Sequence, residues 1–328
     1  MISHSYSFLS SNTRTELDKV EKFLFKEMSK GNNYISSEAL RLLKGGGKRI
    51  RPLLTILFSM LGEEYNSRRT ILAAAALETL HMATLVHDDT IDNSDQRRGI
   101  DTTFKKHGIH TAVYTGDWMF VKSLQILAMA DNDSYVNSKM LQMLAGAMES
   151  ICSGEINQYY GRGIIPSRAE YFSRIKDKTA ALFAAACVFG AKNSDLPENE
   201  CRLAMDFGYS FGTAFQIQDD ILDIKTSSKT AGKPVSNDIN EGIITLPILL
   251  ACEKSEEFKS MVTSFLSNPG RKDINLIYDK AESLGGTVLS ISEARKHLNK
   301  CMRIIEKSGS KPASDEILLL LKNIFVYL

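Results

Sequence analysis

Apolar residues recur mostly at intervals of three and four, and no run alternates apolar with polar long enough to suggest a sheet. The spacing predicts helices over 13–29, 34–43, 52–61, 66–92, 108–129, 133–160, 168–190, 198–223, 243–252, 255–266, 271–285, 287–307 and 312–327. Several boundaries carry their own chemistry. Pro52 suits a first helical turn, Gly62 suits a C-terminal stop, and Asn132 or Asp133 suits an N-cap. The stretch 66–92, with Ala73 to Ala76 followed by Leu77, Leu80 and Leu85, is apolar almost all round and predicts a central helix, as does 168–190. Helix after helix with short polar connections implies an all-α fold, and with no linker or change of composition the expectation is one large helical bundle over 1–328. The segment 225–240, rich in Ser, Thr, Lys and Gly, reads as the longest flexible piece.

Composition narrows the function. The chain has 328 residues, 43% of them hydrophobic, and Lys+Arg 40 against Asp+Glu 39 leave a net charge of +1. Nothing in that balance favours nucleic acid or an unfolded tail. Five cysteines without a CxxC pair, mostly in apolar stretches, read as reduced core thiols. The start shows no basic segment followed by an apolar run, and the uncharged run from Ala180 to Ala191 is too short to cross a bilayer. The expectation is a soluble, cytoplasmic protein.

The most informative residues are acidic. His87-Asp88-Asp89-Thr90-Ile91-Asp92 closes one apolar helix, and Asp219-Asp220-Ile221-Leu222-Asp223 closes another. Both read DDxxD, whose first and last carboxylates lie one helical turn apart on one face. A chain of this composition carries one such pattern by chance about 6% of the time, and two far less often. Aspartates near a helix C-terminus oppose the macrodipole, so they call for a cation. An all-oxygen set selects a hard ion, and Mg²⁺ completed by substrate phosphates is the natural choice.

Basic residues supply a complement. Gly45-Gly46-Gly47-Lys48-Arg49-Ile50-Arg51-Pro52 sets three cations before a helix N-terminus, an anion cradle without the Ser/Thr of a nucleotide P-loop. Arg97-Arg98-Gly99 follows the first acidic motif closely, and Arg forks suit diphosphate oxygens. Lys178-Thr179 and Gln216 are polar groups inside apolar helices and need partners. His81 lies two turns before Asp88 on the same face.

Taken in order, these landmarks, together with Leu77-Glu78, Gly232-Lys233-Pro234 and Glu241-Gly242 to Thr245-Leu246-Pro247, resemble the trans-isoprenyl diphosphate synthases over roughly 40–250. Within that family, His81 to His87 and Tyr114-Thr115-Gly116-Asp117 look most like the bacterial long-chain enzymes of the heptaprenyl type. The resemblance implies an all-α isoprenoid-synthase bundle around a central cavity, and Mg²⁺-dependent condensation of isopentenyl diphosphate with an allylic diphosphate. It assigns Lys48, Arg51, His81 and Arg98 to isopentenyl diphosphate, and Arg97 and Lys233 to the allylic diphosphate. Asp88 and Asp92 would bind two Mg²⁺ and Asp219 a third, supported by Asp89, Asp220 and Asp223, while Lys178, Thr179 and Gln216 would face the allylic cation. A homodimer, or a heterodimer with a small regulatory subunit, is implied, with a membrane met only transiently to deliver the product. Ser236, Ile243 and the end Val326-Tyr327-Leu328, which lacks a basic tail, depart from the usual pattern.

Product length has its own expectation. Ala83 and Thr84 lie about 6–7.5 Å below Asp88 along a helix rising about 1.5 Å per residue, and both are small where short-chain members carry aromatic floors. That predicts about six to eight isoprene units for a quinone side chain, with a medium-chain farnesyl or geranylgeranyl product as the alternative. Two other classes compete: a terpene cyclase, whose second motif usually replaces Asp with Asn and Ser/Thr, and a non-catalytic partner subunit, which two intact acidic motifs disfavour.

Overall fold

The computed structural model describes residues 6–31, 33–129, 134–227, 238–267, 274–309 and 311–328. Fourteen α-helices follow one another among them: α1 Ser11–Met28, α2 Tyr34–Lys44, α3 Ile50–Ser59, α4 Ser67–Ile91, α5 Thr103–Ala128, α6 Ser134–Tyr160, α7 Arg168–Ile175, α8 Ala181–Asn193, α9 Glu198–Ser227, α10 Leu246–Lys254, α11 Glu256–Ser267, α12 Ile274–Ser283, α13 Gly286–Lys307 and α14 Pro312–Ile324. The fold is all-α, as the apolar spacing predicts. Two local features escape that spacing. Gln96–Arg97 and Ile100–Asp101 pair as a two-residue antiparallel hairpin, β1 and β2, and a π-helical turn, Lys176–Ala180, interrupts the helix predicted over 168–190. The 108–129 helix starts earlier, at Thr103, and bends at Gly108, whose φ is +80°. The expected cap at Asn132 or Asp133 lies outside the described residues.

Cα packing resolves the chain into two compact units. The first comprises residues 1–146, 182–205 and 305–320. Its central element is α4, which packs chiefly on α5 and also on α3 and α1. Leu72 to Leu77 are all buried, so α4 shows no single apolar face because every face is covered. It is long and apolar enough to cross a membrane, yet most of it is buried within the protein. Starts are set by side chains: Ser10 accepts from Thr13 N, Asn66 from Arg69 N and Thr102 from Lys105 N.

The second unit comprises 147–181, 206–304 and 321–328. Its core gathers Ile217, Ile221 and Ile224 of α9, Ile248 to Ala251 of α10, Phe258 and Val262 of α11, and Ile277 and Tyr278 of α12. A reciprocal capping box between Ser167 and Glu170 starts α7 and leads Tyr171 into this core. Four of the five thiols are buried, in line with their apolar surroundings, and Cys152 is exposed.

Candidate active site

In the first unit the acidic motif forms the last turn of α4, with Asp92 as its C-cap. Asp88 and Asp92 are half-exposed, whereas Asp89 is buried and accepts a 2.6 Å hydrogen bond from Arg97 Nε. Burial pushes the Asp89 carboxyl up and Arg97 pulls it back, for a net rise. Arg97 and Arg98 belong to the β1–β2 hairpin, where Arg98 takes a left-handed φ of +53° and donates to Gly46 O. That bond fastens the hairpin to the glycine loop before α3. Gly47 must stay a glycine: its φ is +151°, and a Cβ there would lie 2.4 Å from Arg98 Nη1.

The three cations of that loop part company. Lys48 is exposed, Arg51 sets its guanidinium 4.2 Å from the centre of the Phe183 ring, and Arg49 turns inward and is buried. His81 sits among arginines. Burial first, then the charges of Arg51, Arg98, Arg97 and Arg49, hold its imidazole well below the ordinary 6.5 and keep it neutral at pH 7. Ala83 is fully buried, and Thr84 is half-buried with its hydroxyl donating 2.8 Å to His81 O. A small cavity beside α4 is lined by Leu42, Met82, Leu85, Val86, Asp89, Arg97, Arg98 and Ile100; neither Ala83 nor Thr84 reaches it. Gly116 explains the Tyr114-Thr115-Gly116-Asp117 landmark, because a Cβ there would sit 2.2 Å from His87 Nε2. His87 Nε2 is instead 3.2 Å from Val113 O and 3.3 Å from Asp117 Oδ1.

In the second unit the other acidic motif lies in α9, one turn short of its end. Asp219 is exposed and Asp223 half-buried, but Asp220 is buried, with three protein donors. Tyr171 Oη gives it 2.7 Å, Leu246 N 3.1 Å and Gln216 Nε2 3.0 Å. Gln216 Oε1 in turn accepts from Thr179 Oγ1 at 2.8 Å. Lys178 and Thr179 stand in the π-turn, where Ala181 N reaches back five residues to Lys176 O. Lys178 Nζ lies 2.6 Å from Glu155 Oε1. Lys178, Thr179, Gln216 and Asp220 line a cavity of about 90 Å³ together with Gln158, Tyr171, Arg174, Asp238 and Thr245. Asp238 is pushed up to about 7, by burial and then by the charges of Asp223, Asp220 and Glu241.

Each unit thus gathers a share of the predicted site: Lys48, Arg51, His81, Asp88, Asp89, Asp92, Arg97 and Arg98 in the first, Lys178, Thr179, Gln216, Asp219, Asp220 and Asp223 in the second. Lys233 and Ser236 lie outside the described residues. Tyr171, Asp238, Glu155 and Arg174 were not singled out from sequence; no local pattern marks them, and only the packing brings them to Lys178 and Asp220.

The donor chemistry fits a hard divalent ion. Among the described residues no three carboxylate, imidazole or thiolate groups form a ready-made cage. Mg²⁺ does not need one, since it keeps waters and takes phosphate oxygens. Asp88 with Asp92, and Asp219 with Asp223, are carboxylate pairs one helical turn apart and only partly covered or exposed, and Asp89 and Asp220 are buried against protein donors.

Comparison with known proteins places this arrangement. The polyprenyl synthetase family profile matches residues 32–280. The chain belongs to that family. The polyprenyl synthetase chain is 34% identical over 303 residues, 92% of its own length and 91% of the relative's, to heptaprenyl diphosphate synthase component 2 of Geobacillus stearothermophilus. It is 36% identical over 250 residues to a geranylgeranyl diphosphate synthase of Sulfolobus acidocaldarius, covering 72% of this chain and 74% of that one. The crystal structure of heptaprenyl diphosphate synthase from Staphylococcus aureus superposes with a TM-score of 0.88 at 33% identity, over 95% of this chain and 97% of that one. The chain is therefore a prenyl diphosphate synthase, and its relatives make products of differing length.

Proposed function

We propose that this synthase condenses isopentenyl diphosphate with an allylic diphosphate, in a Mg²⁺-dependent reaction, to a long all-trans polyprenyl diphosphate of about six to eight isoprene units. The observation that carries the reading is the repeated carboxylate pair one helical turn apart, Asp88 with Asp92 and Asp219 with Asp223, combined with cations and a Thr179–Gln216 amide couple fixed by protein hydrogen bonds. The family stretch runs through both units, so we treat them as one functional domain.

Asp88 and Asp92 would hold two ions and Asp219 a third, with Asp223 in support. Bound Mg²⁺ supplies Lewis-acid neutralisation of the diphosphate that departs when the allylic C–O bond breaks. Arg97, and Lys233 by the same resemblance, add charge to that leaving group. Thr179 and Gln216 direct oxygen lone pairs at the cation left behind, and Lys178 borders it. Lys48, Arg51 and Arg98 bind the other diphosphate and, with neutral His81, orient the isopentenyl double bond for attack. The released diphosphate takes the final proton.

Small residues at Ala83 and Thr84 support the long product, and a medium-chain product is the alternative outcome. Two features support an assembly with a second chain. Ile109, Val113, Tyr114 and Val121 are exposed apolar side chains on α5, and one relative is named as component 2 of its enzyme. The partner is a second copy or a small regulatory subunit, and the product serves as a quinone side chain made in the cytoplasm. The test is radiolabelled isopentenyl diphosphate plus farnesyl diphosphate with Mg²⁺, products sized by chromatography, with and without chelator. Absence of elongation under every metal condition would refute the reading. Light scattering against 36.5 kDa for one copy tests the assembly.

A further inference from the structure

The loop carrying Lys48 and Arg51 is fixed from a part of the chain that lies ahead of the family stretch. Arg49 stands at the centre of that loop with a left-handed φ of +48°, a conformation a residue with a Cβ adopts only under constraint. The constraint is its buried guanidinium. Nη1 meets Glu78 at 2.8 Å, Nη2 donates to Leu43 O at 3.1 Å, and Nε is paired with Glu21 of α1. One residue earlier, the backbone carbonyl of Lys48 accepts from the hydroxyl of Tyr6, which is itself 5% exposed. Burial and the nearby Glu78 charge push the Tyr6 phenol up, so it remains a donor at every working pH.

With Arg49 turned inward, its neighbour Lys48 is exposed and Arg51, two positions on, lies against Phe183. We propose that Tyr6 and Glu21, through Lys48 O and Arg49, are positioning residues for the isopentenyl diphosphate subsite, so that the N-terminal segment sets the affinity for that substrate and not for the allylic one. This rests on the assignment of Lys48 and Arg51 to isopentenyl diphosphate given above. It needs no contact between either residue and substrate.

The test compares wild type with Tyr6→Phe, Glu21→Gln and the double variant. Isopentenyl diphosphate and farnesyl diphosphate are titrated separately by calorimetry, and thermal melts are recorded beside steady-state rates. The folds should survive, because Tyr6→Phe removes one hydroxyl and Glu78 still compensates Arg49 in Glu21→Gln. The double variant should bind isopentenyl diphosphate about tenfold more weakly, equivalent to about 1.4 kcal/mol, with farnesyl diphosphate affinity changed by less than about twofold. Lower melting temperature with unchanged isopentenyl affinity would make the segment merely structural and overturn the proposal, as would an equal loss for both ligands. A wild-type chain that binds isopentenyl diphosphate without elongating it overturns the proposed activity and leaves this inference standing on the titrations. A wild-type chain that binds none overturns both.

Discussion

Replacing Asp220 by Asn should damage catalysis far more than stability. The carboxylate accepts from Tyr171 Oη and Leu246 N on Oδ2 and from Gln216 Nε2 on Oδ1. Asn has one acceptor oxygen, and the two donors on the Oδ2 side claim it. Its amide nitrogen then faces Gln216 Nε2 across the 3.0 Å that now separates donor from acceptor. Gln216 resolves the clash by turning over, which points its NH₂ instead of its oxygen toward Thr179. The Thr179 hydroxyl can accept as readily as donate, so no hydrogen bond is lost. Relief of a buried charge offsets weaker charge-assisted bonds, leaving a stability change within about 1–2 kcal/mol.

The catalytic cost is of another size. The allylic cation would meet the positive end of an amide dipole where it had met the negative end. Losing one such pre-set group costs about 10²–10³ in rate in comparable cases. Single-turnover elongation of farnesyl diphosphate reads this directly, and a Mg²⁺ titration separates two roles for Asp220. If Asp220 positions Gln216, the rate falls and the Mg²⁺ requirement stays put; if Asp220 is a ligand, the requirement rises. Turnover within about threefold of wild type would refute the reasoning, since the amide orientation would then be immaterial.

Asp88→Ala or Asp219→Ala should lower turnover by about 10³ or more with the helical signal intact, because Asp88 sits where the α4 macrodipole disfavours it; unchanged rates by radiolabel assay would remove the metal assignment. Ala83→Phe, at a fully buried position, should cost about 1–3 kcal/mol of stability and shift products to about three or four isoprene units on chromatography; an unmoved distribution places the floor elsewhere. Glu16 answers to pH: burial pushes its carboxyl up, but bonds from Lys19, Ser67 and Tyr65 more than offset this, for a net value below 4.5. Its contribution is fully present above 4.5 and is lost as pH falls through the lower folded value, so melting curves of wild type and Glu16→Gln should converge in that window and separate above it.

Long apolar periods made the helices legible, and the two acidic motifs made the chemistry legible. What escaped has identifiable causes. A π-turn adds one residue to a helix, which a three-to-four spacing over 168–190 cannot register, yet Lys178 and Thr179 stand inside it. The hairpin at Gln96–Asp101 is shorter than any alternation pattern, although it carries both Arg97 and Arg98. Lys48, Arg49 and Arg51 are chemically alike in a string of letters; only burial separates the anchor from the two cations assigned to substrate. Tyr171 and Asp238 are distant in sequence from Asp220 and reach its cavity through packing alone.

The two acidic motifs show what packing adds to a motif. In a helix the last aspartate of each motif lies about 40° round from the first and about 60° from the second, so spacing alone does not decide which of the two adjacent aspartates faces outward. Packing decides it: in each motif the second aspartate is buried and the first and last are more exposed. Asp89 meets Arg97, and Asp220 meets Tyr171, Gln216 and Leu246 N. The inward residue is a charge placed where it can hold another functional group. In the first unit that group is an arginine suited to phosphate; in the second it is an amide suited to a carbocation. Under the proposed function the same letters would serve two different parts of one reaction, and the inward aspartate is where the difference would be made.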